Sequence, residues 1–222
     1  MRANKSINKE RGVSMKIAVI GATGQAGSLI TEKLVAAGAD VTALVRNASR
    51  LKVDVPVIEK DIFALTQADL APFDVVIEAF RAPEGHEIQH LQAMQHLMAL
   101  LEDSQTRLIA VGGTSSLYSD ETRTKRLIDL VDVTASFYPV AKYMSDAALE
   151  LKASDLNYTY FSPAAYFDPA GLETRAYSLA TDIFTVNASG ESYISMADFA
   201  SAMRDIVLNG THQREHISIY QN

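Results

Sequence analysis

Three glycines at fixed spacing constrain this chain more than any other feature. They fall in the run Gly21-Ala22-Thr23-Gly24-Gln25-Ala26-Gly27, between the short apolar segment Lys16–Ile20 and the amphipathic segment Ser28–Ala37. A buried strand that passes into a helix through such a turn is suited to holding a diphosphate. The first glycine permits the tight turn, the second lets the anion approach the backbone, and the third lets helix and strand pack closely. The free N–H groups and positive dipole end of the helix then face the anion. The run predicts a dinucleotide-binding turn lined by all seven of its residues.

The rest of the pattern alternates. Asp40–Val45, Val55–Glu59, Val75–Glu78, Leu108–Gly112 and Tyr158–Phe161 read as further strands. Helical patterns separate them: Leu29, Ile30, Lys33, Leu34 and Ala37 recur at helical spacing before Gly38, and Ile88, Leu91, Met94, Met98 and Leu101 share one side of Glu87–Leu101. Such alternation implies parallel pairing with right-handed crossovers, and strands apolar on both faces require helices on both sides. The expected fold is α/β, a Rossmann-like doubly wound parallel sheet with helices on both faces and a small irregular C-terminal region on the substrate side. In that region Asn187-Ala188-Ser189-Gly190 signals a turn, Ser195 with Asp198 reads as the N-cap of a helix Met196–Leu208, and His216–Tyr220 reads as a closing strand. Residues 1–14 carry four basic side chains and no apolar run. They read as a disordered extension before a single domain spanning 15–222.

Composition removes several function classes. A net charge of -7 opposes general nucleic-acid binding. The chain has no cysteine, which excludes thiolate catalysis and disulfides and fits a cytoplasmic protein. No apolar run approaches the ~20 residues that span a bilayer. The expected partner is a small-molecule acceptor, with neither nucleic acid nor membrane, and the expected assembly is a monomer or homodimer. At the end of the second strand, where an acidic residue would bind the ribose 2′-hydroxyl of NAD, stands Arg46, with Arg50 and Lys52 close behind. A guanidinium there pairs with a 2′-phosphate, so NADP(H) is favoured over NAD(H).

Ile17-Ala18-Val19-Ile20-Gly21-Ala22-Thr23-Gly24, Val45-Arg46-Asn47, Asp61-Ile62, Val111-Gly112-Gly113 and Ser162-Pro163-Ala164 together resemble the atypical short-chain dehydrogenase/reductases. Within them the chain is most similar to the bacterial proteins called putative NADH-flavin reductases, akin to biliverdin-IXβ/flavin reductase and to NmrA-like proteins. The resemblance implies that Thr23, Gln25 and Ala26 line the pyrophosphate and that Arg46 meets the 2′-phosphate. It implies that Asp61 and Ile62 flank the adenine, and that Ala79, Phe80 and Arg81 border the ribose and nicotinamide. Gly112, Gly113 and Ser116 would lie near the reacting ring, with Pro163 and Ala164 near its carboxamide. It also implies transfer of hydride from NADPH to a flavin (FMN or FAD), a quinone or a similar planar acceptor. An NmrA-like redox sensor that binds NADP without turnover is the alternative.

Two patterns bear on catalysis. Many members of this family use Tyr-x-x-x-Lys, in which the lysine lowers the tyrosine pKa for proton donation. Here the match is Tyr138-Pro139-Val140-Ala141-Lys142. Proline suits the first helical position, so Tyr138 is expected just outside the helix, extended, and out of register with Lys142. Ser115, Ser116 and Tyr118 offer other polar contacts. Phe80, Tyr166 and Phe167 offer apolar pocket walls. The second pattern, His86-Glu87-Ile88-Gln89-His90, matches the H-E-x-x-H of zinc hydrolases, with His86 and His90 able to share a helix face. His96 stands at the spacing of a third ligand, but Ala93 replaces the glycine that would turn the chain back. On a continuous helix His96 lies ~240° round from His90, so no metal is expected.

Overall fold

In the computed structural model, which describes residues 14–222, the apolar runs become β1 (Lys16–Ile20), β2 (Asp40–Val45), β3 (Val57–Glu59), β4 (Val75–Glu78), β5 (Arg107–Val111), β6 (Tyr158–Ser162), β7 (Tyr166–Asp168), β8 (Tyr177–Ala180), β9 (Tyr193–Ser195) and β10 (Glu215–Gln221). The helices are α1 (Gln25–Ala36), α2 (Gln67–Leu70), α3 (Gln89–Leu101), α4 (Tyr138–Ala153) and α5 (Met196–Asn209). Eight strands form one sheet in the order β3-β2-β1-β4-β5-β6-β10-β8. All pair in parallel except β8, which is antiparallel to β10. β7 and β9 form a separate parallel pair. The extension expected over residues 1–14 lies, but for Ser14, outside the described residues.

Successive side chains of a strand point to opposite faces, so a strand that is apolar throughout needs cover on both. Ile17 and Val19 of β1 pack under Ile30 and Leu34 of α1 and Phe199, Met203 and Ile206 of α5. Ala18 and Ile20 face Met94, Leu97 and Leu101 of α3 and Ala147, Ala148 and Leu151 of α4. Phe161 of β6 stacks on Phe199 at a ring separation of 4.3 Å.

Helix boundaries depart from the periodicity in instructive ways. α1 begins at Gln25, three residues before the expected start at Ser28, because the glycine turn itself supplies its first turn. Its buried side is Gly27, Ser28, Ile30, Thr31 and Leu34, so Leu29, Lys33 and Ala37 do not form the inner stripe. α3 begins two residues later than expected and buries Ala93, Met94, Leu97 and Leu101, while Ile88 is 44% exposed. α5 starts as its sequence predicts: the Ser195 hydroxyl accepts the Asp198 N–H at 3.0 Å.

The C-terminal region is held down by carboxylates. Asp198 is buried and accepts the backbone N–H groups of Thr174 (3.0 Å) and Arg175 (2.7 Å). Glu173 links Lys33 of α1 to Ser201 of α5. The turn at Asn187 forms as expected, with its side-chain oxygen accepting from Ser189 and Glu191. From β1 the chain adds β2 and β3 on one side and then returns to add β4, β5 and β6 on the other. The order therefore reverses between β1 and β4, which opens a crevice at their carboxyl ends.

Candidate functional site

The glycine turn lies at that crevice. Gly21 has φ of +77°, a left-handed conformation, and a Cβ there would lie 2.4 Å from the Ala79 carbonyl oxygen. A Cβ on Gly27 would lie 2.2 Å from the Gly21 oxygen. The Gly24 N–H donates to that same oxygen at 2.8 Å, which closes the turn. Gly24 is also the N-cap of α1, where no side chain caps the helix and no acidic residue occupies the first turn. The first-turn amides of an α-helix have no intrahelical acceptor. The turn thus presents N–H donors and a positive dipole end, and it fits a diphosphate. Ala22 differs from the expectation in pointing inward, buried in the core; only its backbone faces the turn.

Around this turn the crevice is lined by Ile20, Gly21, Thr23, Gly24, Leu44, Val45, Arg46, Arg50, Lys60, Asp61, Ile62, Leu65, Ala79, Phe80 and Arg81. The structure thus gathers Arg46, Asp61, Ile62, Ala79, Phe80 and Arg81 as the sequence led us to expect. Arg46 and Arg50 are exposed and make no ion pair among the described residues. Lys52 is not on the crevice; its nearest partner is Glu32 at 3.9 Å. Two lining residues escaped the sequence reading. Lys60 follows β3 and binds Asp69 at 2.7 Å, and Leu65 closes the apolar floor. The signal for Lys60 was its place at the carboxyl end of a strand, next to Asp61. The Asp61 carboxylate caps the short turn Ile62–Ala64 by accepting the Phe63 N–H at 3.0 Å.

Past β5 the polar side chains are already engaged. The Ser116 hydroxyl is buried and donates to the Gly113 carbonyl at 2.6 Å. It also lies 3.2 Å from Ser162 Oγ, which in turn meets His216 Nε2 at 2.9 Å. Burial lowers the His216 imidazole to a pKa of about 4, so it is neutral at pH 7. A Cβ on Gly112 would strike the Tyr160 ring at 2.3 Å. That glycine therefore makes room for an aromatic ring of the core. Thr114 Oγ1 is 3.0 Å from both the Pro163 and Ala164 carbonyls, which fastens the β5 and β6 termini together.

Tyr138 corrects one expectation. It is the first residue of α4, preceded by Phe137 already in helical conformation, and Pro139 stands inside the first turn. A first-turn proline lacks only an N–H that would be free anyway, so it does not displace Tyr138 from the helix. Lys142 nevertheless reaches Asp146 at 2.5 Å, and this carboxylate holds its ammonium above the usual lysine range. Tyr166 is 60% exposed against Tyr193, and Phe167 packs on Phe199. Of the three expected aromatic walls, only Phe80 lines the crevice.

The histidine motif is not a metal-binding face. His86 lies in the turn before α3, whereas His90 is the second residue of that helix, so the two do not share a helix face. Glu87 accepts the Gly85 N–H at 2.8 Å. His90 is half-buried, not solvated: its ring meets Phe80 edge-on at 5.9 Å, and desolvation lowers it to about 4. His96 Nε2 is 3.1 Å from the Leu65 carbonyl oxygen. Among the described residues no cluster of three or more His, Asp or Glu is placed to hold a metal. No described helix is long and apolar enough to cross a membrane.

Glu78, the last residue of β4, is buried, and its Oε1 accepts the Phe80 N–H at 2.7 Å. Desolvation pushes its carboxyl up to about 7. In register it stands beside Ile20 of β1 and Ala110 of β5, with Tyr160 of β6 beyond.

Comparison with known proteins agrees with this geometry. A family model described as NAD(P)H-binding matches residues 21–209. The chain is 42% identical over 208 residues to the uncharacterized protein YwnB of Bacillus subtilis, covering 92% of this chain and 98% of that one. It is 43% identical to SP1627 of Streptococcus pneumoniae, a crystal structure called a putative NADH-flavin reductase, with a TM-score of 0.89 over 94% of this chain and all (100%) of the other. A structure from Bacteroides thetaiotaomicron called a putative epimerase is 28% identical, with a TM-score of 0.83, covering 94% of this chain and 98% of that one.

Proposed function

Since the chain belongs to the NAD(P)H-binding family, we propose that it is an oxidoreductase that binds NADP(H) across the carboxyl edge of its sheet and reduces a planar acceptor, a flavin or a quinone. One observation carries the reading: the uncapped first turn of α1 opens beside a rim of free arginines. In it, the amides of Gln25, Ala26 and Gly27 hold the diphosphate and Arg46 with Arg50 receives the adenosine 2′-phosphate. Asp61, Ile62 and Leu65 flank the adenine, while Ala79, Phe80 and Arg81 border the ribose. Gly113, after β5, and Pro163 and Ala164, after β6, lie on the nicotinamide side. The bound nicotinamide supplies a hydride.

The state of the polar side chains supports a planar acceptor over a simple ketone. Ser116 donates inward to Gly113, and Lys142 is tied to Asp146 rather than to Tyr138. Neither Ser116 nor a Tyr138–Lys142 pair is therefore free to protonate a carbonyl oxygen. A flavin or quinone accepts hydride at one atom and takes its proton from water, so the protein need only align the two rings. The same observation favours, as second reading, a sensor that binds NADP(H) without turnover. The purified protein is titrated with NADPH and NADH, then assayed for NADPH oxidation with FMN, FAD, riboflavin and quinones. Tighter binding of NADPH, with oxidation by at least one acceptor, is the expected result. Binding without oxidation across the panel establishes the sensor instead, and absence of binding overturns both.

A further inference from the structure

Behind the crevice wall lies a buried ionisable group, Glu78, that neither catalysis nor phosphate binding uses. Glu78 is 7% exposed, at the end of the strand whose next residues, Ala79 and Phe80, form the crevice wall. Its register partner is Ile20, the residue immediately before Gly21. Its backbone therefore adjoins the strand end that leads into the phosphate turn, while its side chain lies on the α3 and α4 face of the sheet. Among the described residues its one hydrogen bond is from the Phe80 N–H. Titratable groups on the surrounding elements are Tyr160 on β6, His216 on β10, His90 on α3, Tyr138, Lys142 and Asp146 on α4, and Arg81 after β4. None makes an ion pair with Glu78 among the described residues. Tyr160 is pushed up by burial, and both imidazoles are neutral at pH 7. An anion entering at Gly21 would meet the Glu78 charge with no cation paired to that carboxylate.

We propose that binding of the dinucleotide is coupled to protonation of Glu78: the anionic diphosphate would sit at the carboxyl end of β1 and the buried Glu78 carboxylate at the adjoining end of β4, so the site takes up a proton as it fills. The inference rests on the reading of the crevice as a dinucleotide site. The charge balance is simple. One proton passes from solvent to a Glu78 carboxylate oxygen, no bond within the nucleotide changes, and the neutral carboxyl still accepts the Phe80 N–H through its carbonyl oxygen. Because the free group titrates near neutrality, binding weakens as pH rises above 7. Between the free and the bound pKa the loss approaches about tenfold per pH unit.

Isothermal titration of the wild-type protein with NADH at pH 8, in buffers of different ionisation enthalpy, counts the protons directly. NADH is the first ligand because the 2′-phosphate of NADPH titrates by itself near ~6. Uptake approaching about one proton per nucleotide is expected, and binding with none overturns the proposal. Glu78→Gln, which mimics the protonated carboxyl, is expected to bind NADH with no proton uptake and an affinity constant from pH 7 to 9. At pH 9 it should bind more tightly than wild type. An unchanged pH dependence in this variant overturns the assignment to Glu78 while leaving the cofactor reading intact. If wild type binds neither NADH nor NADPH, the cofactor reading itself falls. Should the variant not fold, the wild-type proton count decides alone.

Discussion

On the proposed reading, Arg46 is the residue on which cofactor preference turns. It projects from the end of β2 into the crevice, exposed and without a carboxylate partner among the described residues. Arg46→Glu replaces attraction for a 2′-phosphate by repulsion. A charge-assisted hydrogen bond contributes about 1.5–3 kcal/mol, so NADPH affinity should fall on the order of tenfold to a hundredfold while NADH affinity changes little. Equal losses in parallel titrations would assign the preference elsewhere. Gly27→Ala tests a different residue-scale constraint. Its new Cβ would lie 2.2 Å from the Gly21 oxygen, and backbone cannot rotate away as a side chain does. Forced overpacking of this kind costs about 1–3 kcal/mol, to be read as a lowered denaturation midpoint together with weakened nucleotide binding. Both positions were legible in the sequence, because the spacing of glycines and the charge at a strand end report backbone needs directly. Lys60 and Glu78 were not. Whether a charged residue at a strand end points into a crevice, into the core or into water depends on register, which one strand's sequence does not specify.

At the scale of single elements, helix starts decided more than helix interiors. α3 was visible as an apolar repeat, yet its first turn begins after Glu87, and that shift of two residues dissolves the zinc motif. His90 is occupied with Phe80, and His96 with the Leu65 carbonyl. Dialysis against EDTA should therefore leave nucleotide binding and melting temperature unchanged. A stoichiometric metal found by elemental analysis, with activity lost to the chelator, would contradict this account. α4 shows the converse. Pro139 marks the helix start correctly, but it occupies the first turn alongside Tyr138 rather than excluding it. The strands were the easiest elements to read. β1, β2 and β4 match their predicted limits, since a run apolar on both faces has only one way to be covered on both sides.

For the molecule as a whole, the buried ionisable groups predict how stability follows pH. His90 and His216 are held near 4 in the folded protein against 6.5 when free. The folded state binds their protons less well, so their contribution is lost as pH falls from about 6.5 toward 4. Glu78 has the opposite sign. Its pKa rises from 4.5 to about 7, so its contribution is complete below 4.5 and lost as pH rises toward 7. With two imidazoles against one carboxyl, melting temperature should climb from pH 4 to a maximum near ~6.5 and then settle slightly lower. Glu78→Gln should remove the Glu78 loss, which accumulates between pH 4.5 and 7 and amounts to on the order of 3 kcal/mol by pH 8, so its curve should climb more steeply and not fall past ~6.5; a variant curve that still declines would refute the account. The doubly wound topology was readable in advance, because alternation of strand and helix admits few parallel arrangements. The arrangement of the C-terminal region was not. It depends on Asp198 and Glu173 bonding to segments more than twenty residues away, and no local pattern announces such partners.

The backbone-on-backbone packing of Gly21 against Ala79 and of Gly27 against Gly21 also limits where this protein can diversify. On the proposed reading this joint grips the common core of every dinucleotide; it has no side chain to exchange, so it is closed to gradual change. Arg46 and Arg50, exposed on the opposite rim, can be replaced without disturbing any buried neighbour. A descendant that switched nucleotide would be expected to carry its substitutions on that rim and to keep the hinge of glycines untouched.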